Sequence, residues 1–307
     1  MTTVIETIGL SKRFRRTLAV DAVDFTVEQG QVYGFLGPNG SGKTTTIGML
    51  LGIITPTGGG MQLFGGGSPR DLHHARQRIG ATLEQPNFYP YLTGLDNLRI
   101  VARVKRQGRK DIDQALDTVG LAGRQRDLFR TYSLGMKQRL ALAATMLGDP
   151  ELVILDEPAN GLDPEGMREI RDIITGFAQR GKTVFLSSHL LWEVERTCTH
   201  AAVIAKGRIL AQGSVKALTS GAARVELAAS DLGKLRDAVA AFPSAVSAVV
   251  DGNLVVAEIS GNDAAALNQY LSGRGIFVSH LAVKQRSLED AFLALTGAEP
   301  HSMGAVA

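Results

Sequence analysis

Short apolar runs alternate along the chain with longer stretches in which apolar residues recur every three or four positions. Val32 to Leu36, Leu152 to Leu155 and Thr183 to Leu186 are almost wholly apolar, as strands buried on both faces of a sheet are. Helical spacing marks Leu95 to Arg106, Asp111 to Val119, Gln138 to Leu147 and Pro164 to Gln179. Val4 to Ile8, Ala22 to Val27 and Gln31 to Leu36 read as strands of a small β region. Ala201 to Ala205 and Arg208 to Ala211 read as two more, parted by Lys206 and Gly207. Gly58 to Gly60 and Gly65 to Gly67 read as turns. After Gly213 the character changes. From Ala223 the pattern gives a strand, a helix over Leu232 to Ala240, a hairpin through Asp251, Gly252 and Asn253, and a helix over Ala264 to Ser272. A strand over Ile276 to Leu281 and a helix over Leu288 to Leu295 complete an α+β appendage.

Between the apolar strand ending at Leu36 and the helix-like run Thr45 to Leu51 lies Gly37, Pro38, Asn39, Gly40, Ser41, Gly42, Lys43 and Thr44. Glycines let backbone N–H groups close round an anion, and a helix N-terminus aims its dipole at phosphates. A lysine then neutralises the terminal phosphates and a threonine hydroxyl is offered to magnesium. This segment predicts nucleoside triphosphate binding, with kinases, GTPases and transport ATPases still open. A second cluster narrows them. The strand Leu152 to Leu155 ends in Asp156, Glu157 and Pro158, two adjacent carboxylates suited to different tasks. Asp156 is placed to hold the magnesium shell, and Glu157 to act as general base or to position the attacking water. Upstream, Ser133 is the expected N-cap of a helix whose start, with Gly135, forms a second anion site. Downstream come Asn160, Gly161, Leu162, Asp163 and Pro164, then the Thr183 strand followed by Ser187, Ser188 and His189.

With these residues in this order, over roughly residues 4 to 218, the chain resembles the nucleotide-binding subunit of an ATP-binding-cassette (ABC) transporter. The resemblance implies an α/β fold. A P-loop NTPase (ABC ATPase) core would carry a β subdomain and an α-helical signature subdomain over residues 1–218, with a small α+β accessory or regulatory domain over 219–307. It implies ATP and Mg²⁺ as cofactors. Phe14 would stack on adenine, although ordinary packing beside Arg13, Arg15 and Arg16 is as good a reading of that ring. The loop Gly37 to Thr45 would cradle the phosphates, and Ser133 and Gly135 would grip the γ-phosphate from an opposing subunit, so catalysis needs a head-to-tail homodimer with ATP at its interface. Glu157 would activate water, His189 would hold the γ-phosphate or that water, and Asp163 would communicate across the dimer. Thr44, Asp156 and Glu84 would hold the metal. Three departures from the family pattern stand out. Glu84, followed by Gln85, occupies a position where glutamine is usual, Leu134 and Met136 stand where glycine and glutamine are commoner, and Asn160 replaces serine.

Composition fits this picture, since 307 residues with 44% hydrophobic content can build one large domain and one small one. The start, Met1 to Glu6, lacks the basic and apolar regions of a signal peptide, and no apolar run approaches the roughly 18 residues of a membrane span. The expected location is therefore cytoplasmic, peripheral on the inner face of the cell membrane. The single Cys198 reads as a small half-buried hydrophobe, consistent with that address. His73 and His74 lack metal-ligand spacing and are expected to be exposed. With 33 basic against 30 acidic residues and no aromatic stacking platform, nucleic acid is not the expected partner. Basic residues do cluster at Arg103, Lys105, Arg106, Arg109 and Lys110 and again at Arg124, Arg126 and Arg130. A solvated helical face is the default there, and proximity to an anionic leaflet the second reading.

Transport requires a separate polytopic membrane permease. In the resemblance a short permease helix docks beside Glu84, which points to Phe88, Tyr89, Tyr91 and Leu92 as anchors. The segment Pro86 to Thr93, the Tyr132 to Gly135 signature and the C-terminal appendage together look most like exporters of the bacitracin or daunorubicin kind. Two other classes remain open. One is a soluble cassette ATPase acting on ribosomes or nucleic acid, which usually carries tandem cassettes or coiled-coil insertions. The other is a small-molecule kinase, which would leave the serine-glycine signature without a task. A carboxylate at position 84 would tighten a bound metal while repelling the γ-phosphate. Glu84→Gln is accordingly expected to change the Mg²⁺ dependence or the rate of hydrolysis; a titration of activity against Mg²⁺ in which neither moves would remove Glu84 from the metal shell.

Overall fold

The computed structural model describes residues 2–220, 223–260, 264–284 and 287–296. It divides into two compact units, Met1–Val215 and Lys216–Ala307. The tail 297–307 of the expected accessory domain lies outside the described residues.

In the first unit the elements run β1 (Thr3–Phe14), β2 (Thr17–Val23), β3 (Thr26–Glu28), β4 (Val32–Leu36), α1 (Lys43–Leu50), β5 (Gly58–Leu63), α2 (Pro69–Arg76) and β6 (Ile79–Thr82). There follow α3 (Gly94–Lys105), α4 (Arg109–Thr118), two short 3₁₀ turns, α5 (Leu134–Met146), β7 (Leu152–Asp156), α6 (Pro164–Gln179), β8 (Thr183–Ser188), α7 (Leu191–Thr197), β9 (His200–Ala205) and β10 (Arg208–Ser214), with α8 (Val215–Leu218) leading out. Two sheets result. One has the order β10-β9-β4-β8-β7-β6, parallel except for the β9–β10 pair. In the other, β1 is the common antiparallel partner of β2, β3 and β5.

The parallel strands β4 and β7 are buried at every position, as their apolar runs require. An aromatic cluster joins the two sheets. Phe25, between β2 and β3, lies 5.9 Å from Tyr33, 5.4 Å from Phe35 and 5.6 Å from Phe185, and Tyr33 stacks on Phe185 at 5.8 Å. Glycine permits two close approaches that fix layer spacing. A Cβ on Gly34 would meet a Val194 methyl at 2.4 Å, which lets α7 lie hard against β4, and one on Gly80 would meet the Thr145 carbonyl at 2.0 Å, which seats β6 on α5.

The expected helices and buried strands appear with end shifts of up to four residues, and Pro164–Gln179, Leu232–Ala240 and Ala264–Ser272 coincide with α6, α9 and α10. The β region is where expectation and structure part. β1 runs on to Phe14 because different partners support its two halves, β5 from Ile5 to Ser11 and β2 from Leu10 onward. Ala22 to Val27 is not one strand: Ala22 and Val23 end β2, Asp24 and Phe25 lie between strands, and the chain re-enters the sheet at Thr26. Gly58 to Gly60, read as a turn, opens β5. Gly60 pairs with Ile8, and a Cβ on Gly59 would lie 2.1 Å from the Gly9 carbonyl, so glycine is what allows that strand in. Helices α2 and α7 carry too little apolar spacing to be read, although Ser68, Pro69 and Asp71 form a complete N-terminal cap for α2.

The second unit runs β11 (Ala223–Ala228), α9 (Leu232–Ala240), β12 (Ala245–Asp251), β13 (Leu254–Ile259), α10 (Ala264–Ser272), β14 (His280–Lys284) and α11 (Leu288–Thr296). Its sheet is antiparallel in the order β12-β13-β11-β14, and Val225, Leu227, Val255, Ala257 and Ile259 form its core with Leu235, Val239, Leu267 and Leu271. The strand expected over Ile276 to Leu281 begins later, at His280. Gly275, with φ 71°, and the Ile276 N–H bound to the Leu271 carbonyl spend the intervening residues on closing α10. No described helix is long and apolar enough to cross a membrane.

The aromatic cluster makes Phe185 a sensitive point, since its side chain is fully buried at the junction of the two sheets. Phe185→Ala is expected to lower the unfolding free energy by about 3–5 kcal/mol, measurable from the urea midpoint of the full chain. A loss below about 1 kcal/mol would show that the junction does not depend on this ring.

Candidate functional site

The parallel sheet delivers its strand ends to one place. β4 and β8 are in register from Val32–Val184 to Leu36–Ser188, and β7 and β8 from Leu152–Thr183 to Asp156–Ser187. The segments that leave these ends, at Gly37, Glu157 and His189, therefore emerge side by side. Ligands of open parallel sheets bind at such carboxyl ends.

The loop after β4 is shaped by glycine. A Cβ on Gly37 would stand 2.2 Å from the Ile204 carbonyl, and Gly42, with φ 110°, takes the N-cap position of α1. Lys43 is buried, and its Nζ donates to the carbonyl oxygens of Gly37 at 2.7 Å and Pro38 at 3.3 Å. Its third neighbour is Glu157 Oε1, 3.1 Å away. The other carboxylate oxygen, Oε2, lies 2.8 Å from His189 Nδ1. Lys43, Glu157 and His189, from three separate strand ends, thus form one chain of contacts centred on a carboxylate only 12% exposed.

Asp156 sits at the root of this chain and is fully buried. Ser187 Oγ donates to Asp156 Oδ1 at 2.5 Å and accepts the Glu157 N–H at 2.9 Å. One hydroxyl therefore fixes both carboxylate-bearing residues. Glu157 itself holds a left-handed φ of 49°. That conformation costs a non-glycine residue on the order of 1 kcal/mol and is held by its neighbours. Asp156 Oδ2 is buried without a hydrogen-bond partner, as is Ser41 Oγ.

A cavity of about 540 Å³ opens over these groups. The phosphate-type loop lines it with Asn39, Gly40, Gly42, Lys43, Thr44 and Thr45, joined by Ala19, Glu84, Gln85, Leu134, Gln138, Glu157, Asn160 and Gly161. Gly37, Pro38, Ser41, Asp156 and His189 are not among the lining residues, and all but Ser41 adjoin them through the contacts above. Glu84, at the unusual position, also holds a left-handed φ, 39°. Phe14 is not among the lining residues. It is 46% exposed at the end of β1, with Lys12 Nζ 4.9 Å above its ring. Ser133 is exposed and caps α5 by accepting the Met136 N–H at 3.2 Å, while Gly135 is half-buried, and a Cβ there would touch a Leu162 methyl at 3.9 Å. Asp163 is exposed and caps α6 through the Gly166 N–H at 2.9 Å. Neither Ser133, Gly135 nor Asp163 lines the cavity of its own chain.

Sequence reasoning passed over Ser187, Gln138 and Ala19 as site residues. For Ser187 the available signal was its place at the end of an apolar strand that must pair with the Asp156 strand. Tyr89 and Tyr91 are 52% and 68% exposed, whereas Phe88 packs edge-on to Phe129 at 5.3 Å, so the expected anchors divide into a free pair and a packed one. His73 and His74 are exposed.

Residues 20–160 match the family described as "ABC transporter". The chain is similar to the bacitracin transport ATP-binding protein BcrA of Enterococcus faecalis, 36% identical over 299 residues, covering 96% of each chain. It is also similar to the BcrA of Bacillus licheniformis, 45% identical over 212 residues, which cover 68% of this chain and 69% of that one. The Nod factor export ATP-binding protein I of Burkholderia lata is 36% identical over 299 residues, covering 95% of this chain and 96% of the relative. Among solved structures, cbiO1 from Clostridium perfringens, part of the ABC transporter complex cbiONQ, superposes with a TM-score of 0.66 at 25% identity, over 71% of this chain and 91% of that chain.

Near the cluster lies a carboxyl group that the sequence did not single out. Glu193, in the first turn of α7, is buried, and burial pushes its pKa up to about 7; the nearby Arg171 lowers it and the charge of Glu157 raises it further. The folded chain therefore holds this proton more tightly than the unfolded one. The stability it confers is complete below the ordinary glutamate value of 4.5 and is lost as pH rises through about 7, a change of about 3 kcal/mol. Glu193→Gln is expected to flatten the decline in unfolding free energy between about pH 5 and about pH 8 by that amount. Urea unfolding at both pH values tests it, and parallel declines in variant and wild type would show that Glu193 does not carry the effect.

Proposed function

The chain belongs to the ATP-binding subunits of ABC transporters, and from that premise we propose that its 540 Å³ cavity is where ATP is bound and hydrolysed to drive export through a separate membrane permease. ATP hydrolysis in the service of transport is the activity of the family. The observation that carries the assignment to this site is the Lys43–Glu157–His189 chain, with contacts of 3.1 and 2.8 Å, whose first two members line that cavity.

Lys43 has three N–H donors, and its three near neighbours are the Gly37 and Pro38 carbonyls and Glu157. A terminal phosphate would compete with Glu157 for Lys43, because Glu157 Oε1 is held there as an ion pair without a hydrogen bond. Release of Glu157 leaves its carboxylate oriented by His189 and by the Ser187 bond to its backbone, able to accept the proton of an attacking water. His189 then holds that water or the γ-phosphate. The Gly37 to Thr45 loop supplies backbone N–H groups and the α1 N-terminus to the phosphates.

The residues present fit a magnesium ion. Asp156 Oδ2 is a buried acceptor without a partner, and Thr44 and Glu84 both line the cavity. Among the described residues no cluster of three His, Cys, Asp or Glu side chains is able to hold a metal by itself. The ion would therefore rest on Asp156, Thr44 and Glu84 together with phosphate oxygens, where it would screen phosphate charge.

The reading includes a head-to-tail homodimer in which Ser133 and Gly135 of one copy face the γ-phosphate held by the other. Ser133 is exposed and Gly135 only half-buried in their own chain, which supports their use between chains. Asp163, beside that surface, would link the two sites. Phe14 is retained as the adenine contact on the strength of the resemblance and its exposed ring. Residues 1–218 are proposed as the ATPase domain and 219–307 as an accessory domain. Tyr89 and Tyr91 are proposed as anchors for the permease, through which the chain would lie on the inner face of the membrane. By analogy with the bacitracin and Nod factor relatives, the cargo class is an antibiotic, drug or lipid-like molecule.

Glu157→Gln is expected to lower ATP turnover by roughly 10²-fold or more and to accumulate an ATP-bound dimer. The same variant, purified from its native membranes in detergent, is expected to bring a polytopic membrane protein with it. Normal hydrolysis by the variant would remove Glu157 from its role, and a ribosomal or other soluble partner at stoichiometric yield would overturn the transport reading.

A further inference from the structure

Among the described residues, one strand of the second unit's sheet is left unguarded. β12 is the outer strand of the order β12-β13-β11-β14, paired along one side with β13 from Ser247–Glu258 to Asp251–Leu254. No described strand pairs with its other side. Edge strands are ordinarily blunted by lysine, proline or an inward charge, because free N–H and C=O groups recruit another strand. β12 reads Ala245, Val246, Ser247, Ala248, Val249, Val250, Asp251, with its one charge at the end. Val246, Val249 and Val250 are 61%, 57% and 46% exposed. The opposite edge, β14, is treated differently, since it ends in Lys284, whose Nζ lies 2.8 Å from Glu226. One edge has its guard and the other does not.

We propose that β12 pairs with β12 of a second copy of this chain, antiparallel about a two-fold axis, so that the two accessory sheets become one continuous sheet. The strand's own sequence selects this occupant. A register centred on Val249 sets Val249 beside its own copy, Ala248 opposite Val250, and Ser247 opposite Asp251. Valine beside valine is a favourable cross-strand pair, and each carboxylate faces a hydroxyl, with the two Asp251 side chains at opposite ends of the ribbon. Moving the centre to Val250 would set Asp251 against Val249. Moving it to Ala248 would carry the pairing into the irregularity between Ala245 and Ser247, where β12 breaks register with β13. A two-fold contact needs self-complementarity of this kind, and a strand evolved for an unrelated partner does not. Such a link does not depend on nucleotide. It holds a second ATPase domain at high effective concentration throughout the cycle, so that ATP has only to close the pair and not to recruit it.

Cysteine cross-linking of the full chain without nucleotide tests the proposal. At the centre of the expected register the two Cα atoms of residue 249 lie about 4.5–5.5 Å apart, within disulfide reach. Under mild oxidation Val249→Cys is expected to give covalent dimers at least about tenfold faster than Lys234→Cys, an exposed control on α9, because pairing concentrates the thiols. The native Cys198 is buried and contributes no background. Val249→Lys, at an exposed position that the fold tolerates, is expected to convert the nucleotide-free dimer to monomer in light scattering while thermal unfolding stays as in the wild type. Equal cross-linking rates at 249 and 234, or a dimer that survives Val249→Lys, would overturn the proposal. So would cross-linking of Val249→Cys to the permease in native membranes in place of a second copy.

Discussion

The site depends on the register of three parallel strands. β8 pairs with β4 on one side and β7 on the other, and the pairs Leu36–Ser188 and Asp156–Ser187 bring all three strands to an end at one level. That alignment alone puts Lys43, Glu157 and His189 within contact, though they lie far apart in sequence. A slip of one residue would send Asp156 to the opposite face of the sheet and remove Ser187 from both groups it holds. The burial of β4 and β7 at every position makes such a slip costly, because the strands are packed on both faces and joined to the antiparallel sheet through Phe25, Tyr33, Phe35 and Phe185. The core is therefore what sets the chemistry's geometry.

Burial gives the Lys43–Glu157 contact its character. A lysine and a carboxylate taken out of water both lose hydration, and their mutual attraction offsets that loss only while each has its full set of partners. Lys43 has two carbonyls in addition to Glu157, and Glu157 has His189. Each partner is thus replaceable without stranding the other as an isolated buried charge. A pair held only by itself would resist exchange. A pair held at both ends by further groups can open toward a more highly charged anion at modest cost, and this is what a phosphate-exchanging site needs.

Much of this was legible before any coordinates. The phosphate-type loop, the acidic strand end and the Ser133 cap are local patterns whose meaning is carried by a few adjacent residues, and α6 and the appendage helices follow from spacing alone. What escaped was set by distant partners. Gly58 to Gly60 belong to a strand because Gly9 lies against them, and Ala22 takes a left-handed backbone angle inside β2 that no residue preference announces. Ser187 acquires its task only when β7 is laid beside β8, and the raised proton affinity of Glu193 exists only once α7 is packed against β4 across the bare face of Gly34. The division is physical. Short-range chemistry is written in order along the chain, and long-range burial is not.

The features that a single chain leaves unused carry the argument one step further. α5 begins with an exposed serine and a half-buried glycine, a helix N-terminus of the kind that binds anions, yet neither residue lines the cavity. Within one chain the Ser133 hydroxyl does no more than cap its own helix. The cavity, for its part, holds a lysine and a loop of N–H groups on one wall and is open enough to admit a second surface. A triphosphate held only by Lys43 and the loop would present its γ-phosphate outward, with charge still to be balanced. A second α5 N-terminus, brought from another copy, is complementary to that charge, whereas the chain's own cannot serve both as cap and as neighbour to its own Lys43. In the proposed arrangement, dimerisation would complete an electrostatic site that is half-built in each copy, and the binding energy of the γ-phosphate would become the energy that closes the dimer.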